Sequence, residues 1–187
     1  AAGSVTLAVT PGTGRFGMKT GLRGMIAPAE PEQRDLPRPE IRFMGDATLT
    51  LFASFSLEAM VLSARRYEDA NGDLIPYDLA LGWASASDPS LLRNMGISQG
   101  GRWYSWRAKR WEDVPPGFAT SSANMHMIPA TAEVLQTLSE TRPGDGVRIA
   151  GHLCDVDRPG APTLRSSRSR NDTGNGACEV VVVDNLE

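Results

Sequence analysis

The sequence predicts an α+β fold that is mainly antiparallel β. Apolar residues fall on alternate positions from 47 to 61, which is the period of a half-buried strand. An aromatic segment at 103–106 and an apolar run at 177–183 have the composition of strands. One segment, 129–138, has a helical pattern, and it precedes the last two strands. This order suggests a small OB-like or related β-barrel with one short helix.

The size and composition predict one globular domain behind an extended arm. The chain has 187 residues, 41% hydrophobic and 22% charged, which is enough to bury one core. Glycine and proline punctuate residues 1–40, and the prolines between 27 and 39 lack the N–H that helices and central strands need. We therefore expect an N-terminal arm at 1–40, with one short strand at 5–10, and a β-rich domain at 41–187.

Two sequence patterns predict the first strands of the domain. The alternation from 47 to 61 fits one long bent strand or two strands. A helix over 57–64 is the alternative, because these residues are good helix formers. Residues 97–107 have the pattern of a hairpin arm, with a break at the two glycines 100 and 101.

The single helix is expected to begin at Pro129, because the N–H that proline lacks would be unpaired in a first turn anyway. Val134, Leu135 and Leu138 are spaced to line its buried face. Pro143 lies beyond its end, where a helix cannot continue.

The two cysteines lie in or beside the last predicted strands, 147–156 and 177–183, which flank a polar loop at 157–176. If these strands are neighbours, Cys154 and Cys178 could face one another and form a disulfide that closes the loop. Two free, buried thiols are the alternative.

A cationic, aromatic segment predicts a binding surface. A net charge of −3 argues against a globally basic nucleic-acid-binding protein. Residues 102–111 nevertheless interleave aromatic rings with four cations, as single-strand-binding platforms do. The alternative is that one ring belongs to the core and that the cations form its solvated rim. The predicted binding residues are Trp103, Tyr104, Trp106, Arg107, Arg110, His126, Arg168 and Arg170.

Acid–base and metal chemistry are restricted because the chain has only two histidines, His126 and His152. Cys178 and His126 could form a thiolate–imidazole pair, with Asp172 or Asn124 as the orienting group, although a strand cysteine is more often a small buried residue. The spacing of the cysteines and histidines has no zinc-site signature. We therefore predict no metal, no cofactor and no catalytic residue.

Two short motifs have the wrong context for the chemistry that they suggest. The glycines at 12, 14 and 17 match a dinucleotide-binding fingerprint, but a good helix and a second strand ending in an acid do not follow. Residues 172–174 match the aspartic-protease tripeptide, but Arg170 and Asn171 precede it where that family needs a buried apolar strand. A turn is the better interpretation of the second motif.

Four segments in this order, 78–83, 97–106, 122–129 and 166–179, resemble an uncharacterised family of bacterial, mainly proteobacterial, proteins. The likeness covers roughly residues 25–183. Members of that family carry a membrane anchor or leader before one soluble domain and have no assigned activity. The resemblance therefore implies a cell-envelope location and supplies no catalytic residue.

We expect a non-enzymatic periplasmic or cell-envelope domain, an accessory subunit that binds another protein, such as a membrane complex, through the arm and the aromatic–arginine surface. The alternatives are an OB-like single-stranded nucleic-acid-binding module and a cysteine-dependent enzyme built on Cys178 and His126. No run of apolar residues reaches the length of a transmembrane helix, so no such segment is expected in the chain as given, and a cytoplasmic location stays open.

Overall fold

Eight β-strands and one α-helix make up the part of the chain that this computed structural model describes, residues 24–169, 172, 174 and 176–187. They are β1 (Glu32–Met44), β2 (Ala47–Arg66), β3 (Tyr77–Gly82), β4 (Met95–Gly100), β5 (Trp103–Ala108), β6 (Ser122–Pro129), α1 (Ala132–Glu140), β7 (Gly146–Asp157) and β8 (Glu179–Leu186). Among the described strands, every pairing is antiparallel except that of β6 with β8. The predicted α+β class, mainly antiparallel β with one helix, is confirmed.

Six of these strands form one mixed sheet. Their order is β1-β2-β3-β6-β8-β7, and β7 also pairs with β2. Strands β4 and β5 form a separate hairpin. If β1 is set aside, each of the five remaining strands of this sheet pairs with two others of the five. Strand β1 pairs with β2.

Strand β2 is one long strand with a change of face, so the alternative of a helix over 57–64 is wrong. The register of β2 against β7 shifts between Leu51 and Ala53, which places a bulge at Phe52. Because side chains alternate along a strand, one extra residue exchanges the two faces. Leu51 therefore belongs to one core cluster and Ala53 to another.

Part of the predicted arm is integrated into the sheet. Residues 32–40 belong to β1 and pair with β2, with a register irregularity between Asp35 and Glu40. Pro37 and Pro39 lie within that irregularity, where no ladder hydrogen bond requires their missing N–H. The predicted strand at 5–10, and the glycine motif after it, lie outside the described residues.

The helix begins later than predicted. Pro129 ends β6, and α1 begins at Ala132 behind Thr131, whose hydroxyl oxygen accepts a hydrogen bond from the Val134 N–H at 3.3 Å. A threonine at this position stabilises a first turn by satisfying one of its free donors. Val134 is buried as predicted, but Leu135 is exposed.

The buried apolar residues form separate clusters, because the two faces of the strands pack against different parts of the chain. The first cluster includes apolar residues of β3, β6 and β8, and it also packs Val134 and Leu138 of α1. A second cluster includes Leu49, Leu51 and Val182, and the β4–β5 hairpin packs against a third. Within the described residues, no helix is long and apolar enough to cross a membrane.

Candidate functional site

Strands β3 and β6 present polar side chains on the face opposite the first core cluster. Leu79, Met125 and Val181 point into that cluster. The residues before or after them therefore point to the other face, because side chains alternate along a strand. Ala80 lies on this second face, within the third cluster, against which Tyr104 and Trp106 of the hairpin pack. The β4–β5 hairpin therefore covers the polar face.

A fully buried carboxylate, Asp78, lies at the centre of this covered face. Arg102 donates a hydrogen bond from Nη1 to its Oδ1 at 2.8 Å, and His126 Nδ1 lies 3.0 Å from the same oxygen. Asn124 donates a weak hydrogen bond to Oδ2 at 3.5 Å. A buried carboxylate without cations would be strongly destabilising, so these partners are what allow Asp78 to lie in a strand interior.

Arg102 attaches the hairpin turn to the loop between β2 and β3. It lies in the left-handed region, with φ of 66°. Its guanidinium makes two hydrogen bonds to Asp69, at 2.8 and 2.7 Å, and lies 4.2 Å above the ring of Tyr67. Hydrogen bonding from Arg102 lowers the pKa of Asp69 despite the opposing effect of burial. The hairpin is therefore held in place by charge-assisted contacts as well as by packing.

His126 lies between Asp78 and the thiol of Cys178. His126 is opposite Asp78 in the β3–β6 ladder, and its ring is buried. Its contact with Asp78 is an ion pair without an aligned hydrogen bond at Nδ1. Burial alone lowers the pKa of His126, but the contacts with Asp78 and Cys178 outweigh this effect and raise the pKa to about 9. The imidazole is therefore protonated at neutral pH.

A cavity of about 430 Å³ opens beside this cluster, between the hairpin, the start of β6 and the loop before β8. Its walls include Trp103, Tyr104 and Trp106, and Cys178 also lines it. Trp103 is 45% exposed, whereas Tyr104 is held by a 2.8 Å hydrogen bond between its hydroxyl and that of Ser122. Burial raises the pKa of Tyr104. The cavity is therefore lined in part by aromatic rings and also by a thiol.

The predicted aromatic residues and the predicted arginines do not form one surface. Trp103, Tyr104 and Trp106 line the cavity, and His126 lies against Cys178 beside it. Arg107, by contrast, lies across Gly96 on the hairpin, and no described Arg or Lys side chain is among the lining residues.

The remaining predicted arginines are bound to carboxylates elsewhere or are not described. Arg110 donates a hydrogen bond to Asp113 at 3.3 Å. Arg168 donates one to Asp155 at 3.0 Å and lies 3.7 Å above the ring of Phe52. Arg170 lies outside the described residues.

The orienting group for His126 is Asp78, which the sequence analysis missed. Asn124 contacts Cys178 at 4.0 Å, and Asp172 accepts a hydrogen bond from Ser167 at 2.7 Å. The sequence feature that could have identified Asp78 is a charged residue at the start of the apolar run 78–83. A carboxylate in a buried strand requires a buried partner.

The predicted disulfide is absent, since Cys154 and Cys178 are both free thiols. Leu153 is opposite Val181 in the β7–β8 ladder, so Cys154 is next to Val180 in the second cluster. Cys178 instead precedes β8 and lies at the cavity. Desolvation raises the pKa of Cys154 to about 12, so that thiol is inert.

No group of three or more histidine, cysteine or acidic side chains within the described part of the chain is arranged to hold a metal ion. Comparison with protein-family models, with curated proteins and with solved structures finds no match to this chain. The function must therefore be inferred from the sheet and the aromatic cavity themselves.

Proposed function

We propose that strands β2, β3, β6, β7 and β8 form a small barrel of the OB type. This is supported by their pairing, in which each has two neighbours within the group, and by the position of α1 between β6 and β7. The parallel β6–β8 pair is a further support. OB folds bind ligands on the face of their second and third strands, with help from the loops after the first and fourth. In this chain those strands are β3 and β6, which carry the candidate site.

On this basis the domain is a binding module for another protein, and the cavity receives a side chain of that partner. The observation that carries the proposal is the cavity lining, which combines Trp103, Tyr104 and Trp106 with the carboxyl-bearing residues Asp172 and Glu179. Aromatic pockets at protein interfaces bind anchoring side chains, and ring faces attract cations. An apolar or basic side chain therefore fits the cavity better than a phosphate does.

Single-stranded nucleic acid is the second candidate, and the exposed rings favour it. Trp103 is 45% exposed and Trp111 is 79% exposed, so both could stack on bases. The ion pairs of Arg110 and Arg168 with carboxylates weigh against it, because these cations are already neutralised. Binding of an oligothymidylate at low salt would favour this candidate.

The location that we propose is the cell envelope, where the domain would act as an accessory subunit of a protein assembly. The support is the resemblance described above. Fractionation of cells that produce the protein from its own gene tests this point, and recovery in the cytoplasmic fraction would contradict it.

The binding proposal can be tested without a known partner by selecting peptides from a random phage-displayed library. We expect enriched peptides to bind the wild-type chain and to lose about tenfold or more in affinity against Trp103→Ala, the loss typical of an interface anchor. Trp111→Ala is the matched control, because it removes a more exposed tryptophan that does not line the cavity. Failure to enrich any peptide, or equal binding to both variants, would contradict the proposal.

A further inference from the structure

A thiol, an imidazole and a carboxylate meet beside the aromatic cavity. We propose that Cys178 is a nucleophile for acyl transfer, with His126 as the proton donor and Asp78 as a positioning residue. The substrate class is an ester or thioester whose acyl group enters the cavity. This catalytic role is separate from the proposed binding function. It does not depend on whether the cavity also receives a partner's side chain.

The register of three adjacent strands brings the groups together. Asp78 in β3 is opposite His126 in β6. Met125 is opposite Glu179 in the parallel β6–β8 pair, so the residue before it, Asn124, is beside Cys178. The 4.0 Å contact between Asn124 Nδ2 and the Cys178 sulfur agrees with this register. Asp78 and His126 are therefore built into the central sheet, which is a more rigid support than a loop, and Cys178 comes directly before β8.

The charges around His126 favour its protonated form. The titratable groups that act on the ring include Asp78 from β3, Asp69 from the loop before it, and Cys178 from the segment before β8. Glu179, which follows Cys178, is a further buried carboxyl residue at the cavity. Arg102, from the hairpin turn, binds both aspartates. A carboxylate that faces one side of an imidazole stabilises its protonated form, and an imidazolium stabilises a neighbouring thiolate.

The two cysteines differ in access to the cavity. Cys178 is partly exposed and lines the cavity, whereas Cys154 is fully buried in the second core cluster. A substrate that enters between the aromatic walls would therefore meet the thiol that has an imidazole partner. Tyr104 and Trp106 provide an apolar surface for an acyl chain or ring.

The proposed reaction needs no group other than substrate and water. The Cys178 thiolate attacks the carbonyl carbon, the S–C bond forms, and the bond from that carbon to the leaving oxygen or sulfur breaks with its electron pair. His126 donates its proton to the leaving group, which departs as an alcohol or thiol and leaves a thioester on Cys178. Water then attacks the thioester and gives its proton to His126, which releases the acid and restores the thiolate.

Thiol–disulfide exchange fits this site less well. It would leave a mixed disulfide on Cys178, and a second thiol is needed to resolve it. The other cysteine of the chain, Cys154, is fully buried next to Val180 and does not line the cavity. The imidazole proton donor, by contrast, is required for the departure of an alcohol leaving group.

The first test uses p-nitrophenyl acetate and intact-mass analysis of the wild-type chain. We expect a burst of p-nitrophenol, with an acetyl group on Cys178 that is absent in Cys178→Ala and retained in Cys154→Ala. His126→Gln should slow acylation by an alkyl ester such as ethyl acetate by about 100-fold, because an alkoxide leaving group needs the proton, and it should slow acylation by p-nitrophenyl acetate much less. An acetyl group on another residue, no acetyl group, or an unchanged rate of acylation by the alkyl ester in His126→Gln would overturn the proposal.

The second test compares the rate at which iodoacetamide alkylates Cys178 in the wild type and in its variants at one pH, with the modified residue located by mass analysis. We expect the rate to fall at least about tenfold in Asp78→Asn and in His126→Gln, because an adjacent imidazolium activates a cysteine as a nucleophile. Cys154 is the internal control and should stay unmodified in the folded chain, because it is fully buried. An unchanged rate in folded Asp78→Asn and His126→Gln chains would overturn the proposal.

Discussion

Gly151→Ala probes the closest backbone approach in the sheet. Gly151 in β7 lies opposite Phe55 of β2 and Val183 of β8, where the β7–β8 register shifts. A Cβ at this position would lie 1.9 Å from the carbonyl oxygen of Val182 and 3.0 Å from its carbonyl carbon. Both contacts are with backbone atoms, so a rotamer change cannot relieve them. Strand β8 would have to move away from β7.

The expected cost of Gly151→Ala is about 3 kcal/mol. Overpacking of a buried position costs roughly 1–3 kcal/mol, and each ladder hydrogen bond that is lost adds about 1 kcal/mol. With a urea m-value of about 2 kcal/mol per molar, the midpoint should fall by about 1.5 M. Urea unfolding followed by tryptophan fluorescence and by circular dichroism measures this shift.

Gly100→Ala is the matched control. The nearest atom to a Cβ there is Arg65 Nη1, at 4.0 Å, so the change should cost less than about 1 kcal/mol. An unchanged midpoint for Gly151→Ala, or equal shifts for the two variants, would refute the close packing of β7 on β8.

Three further predictions concern the helix cap, the imidazole and the thiols. Thr131→Ala should destabilise the chain by about 1 kcal/mol in urea unfolding, because the Val134 N–H loses its acceptor. The pKa of His126 is raised from 6.5 to about 9. The protonated imidazole therefore contributes on the order of 3 kcal/mol to the free energy of unfolding. This contribution is fully present below pH 6.5 and is lost as pH rises through 9. The urea midpoint should therefore fall across that range in the wild type and much less in His126→Gln; parallel curves would contradict this. Ellman titration should detect one thiol in the native chain, Cys178, and a second, Cys154, only after denaturation; no thiols in the denatured, unreduced chain would mean that a disulfide forms.

The strands are largely predictable from the sequence because apolar alternation reports them directly. The alternation through residues 47–61 predicts β2, but it cannot show that a bulge at Phe52 sends Leu51 and Ala53 to different clusters. The prolines in 32–40 argue correctly against a central strand. They do not reveal that an edge strand forms there, since that depends on the free side of β2.

The candidate site is predictable only in part because it depends on register between distant segments. The aromatic run at 103–106 marks the hairpin wall of the cavity, and the scarcity of histidine draws attention to His126 and Cys178. Asp78 is not recognisable as their partner, because its distance from His126 is set by the β3–β6 pairing. The partner of Arg168 is not recognisable for a related reason, since Asp155 lies in β7 and the sequence does not show that the loop returns to that strand.

The most direct test of the account is the protonation state of His126. The chain has two histidines, so a His152→Asn variant leaves one imidazole, and ¹⁵N NMR of that ring can be followed against pH. Contact with Asp78 and Cys178 predicts a pKa of about 9 and a clear decrease in Asp78→Asn. A wild-type pKa at or below the ordinary value of 6.5 would show that the thiol, imidazole and carboxylate do not form the proposed cluster.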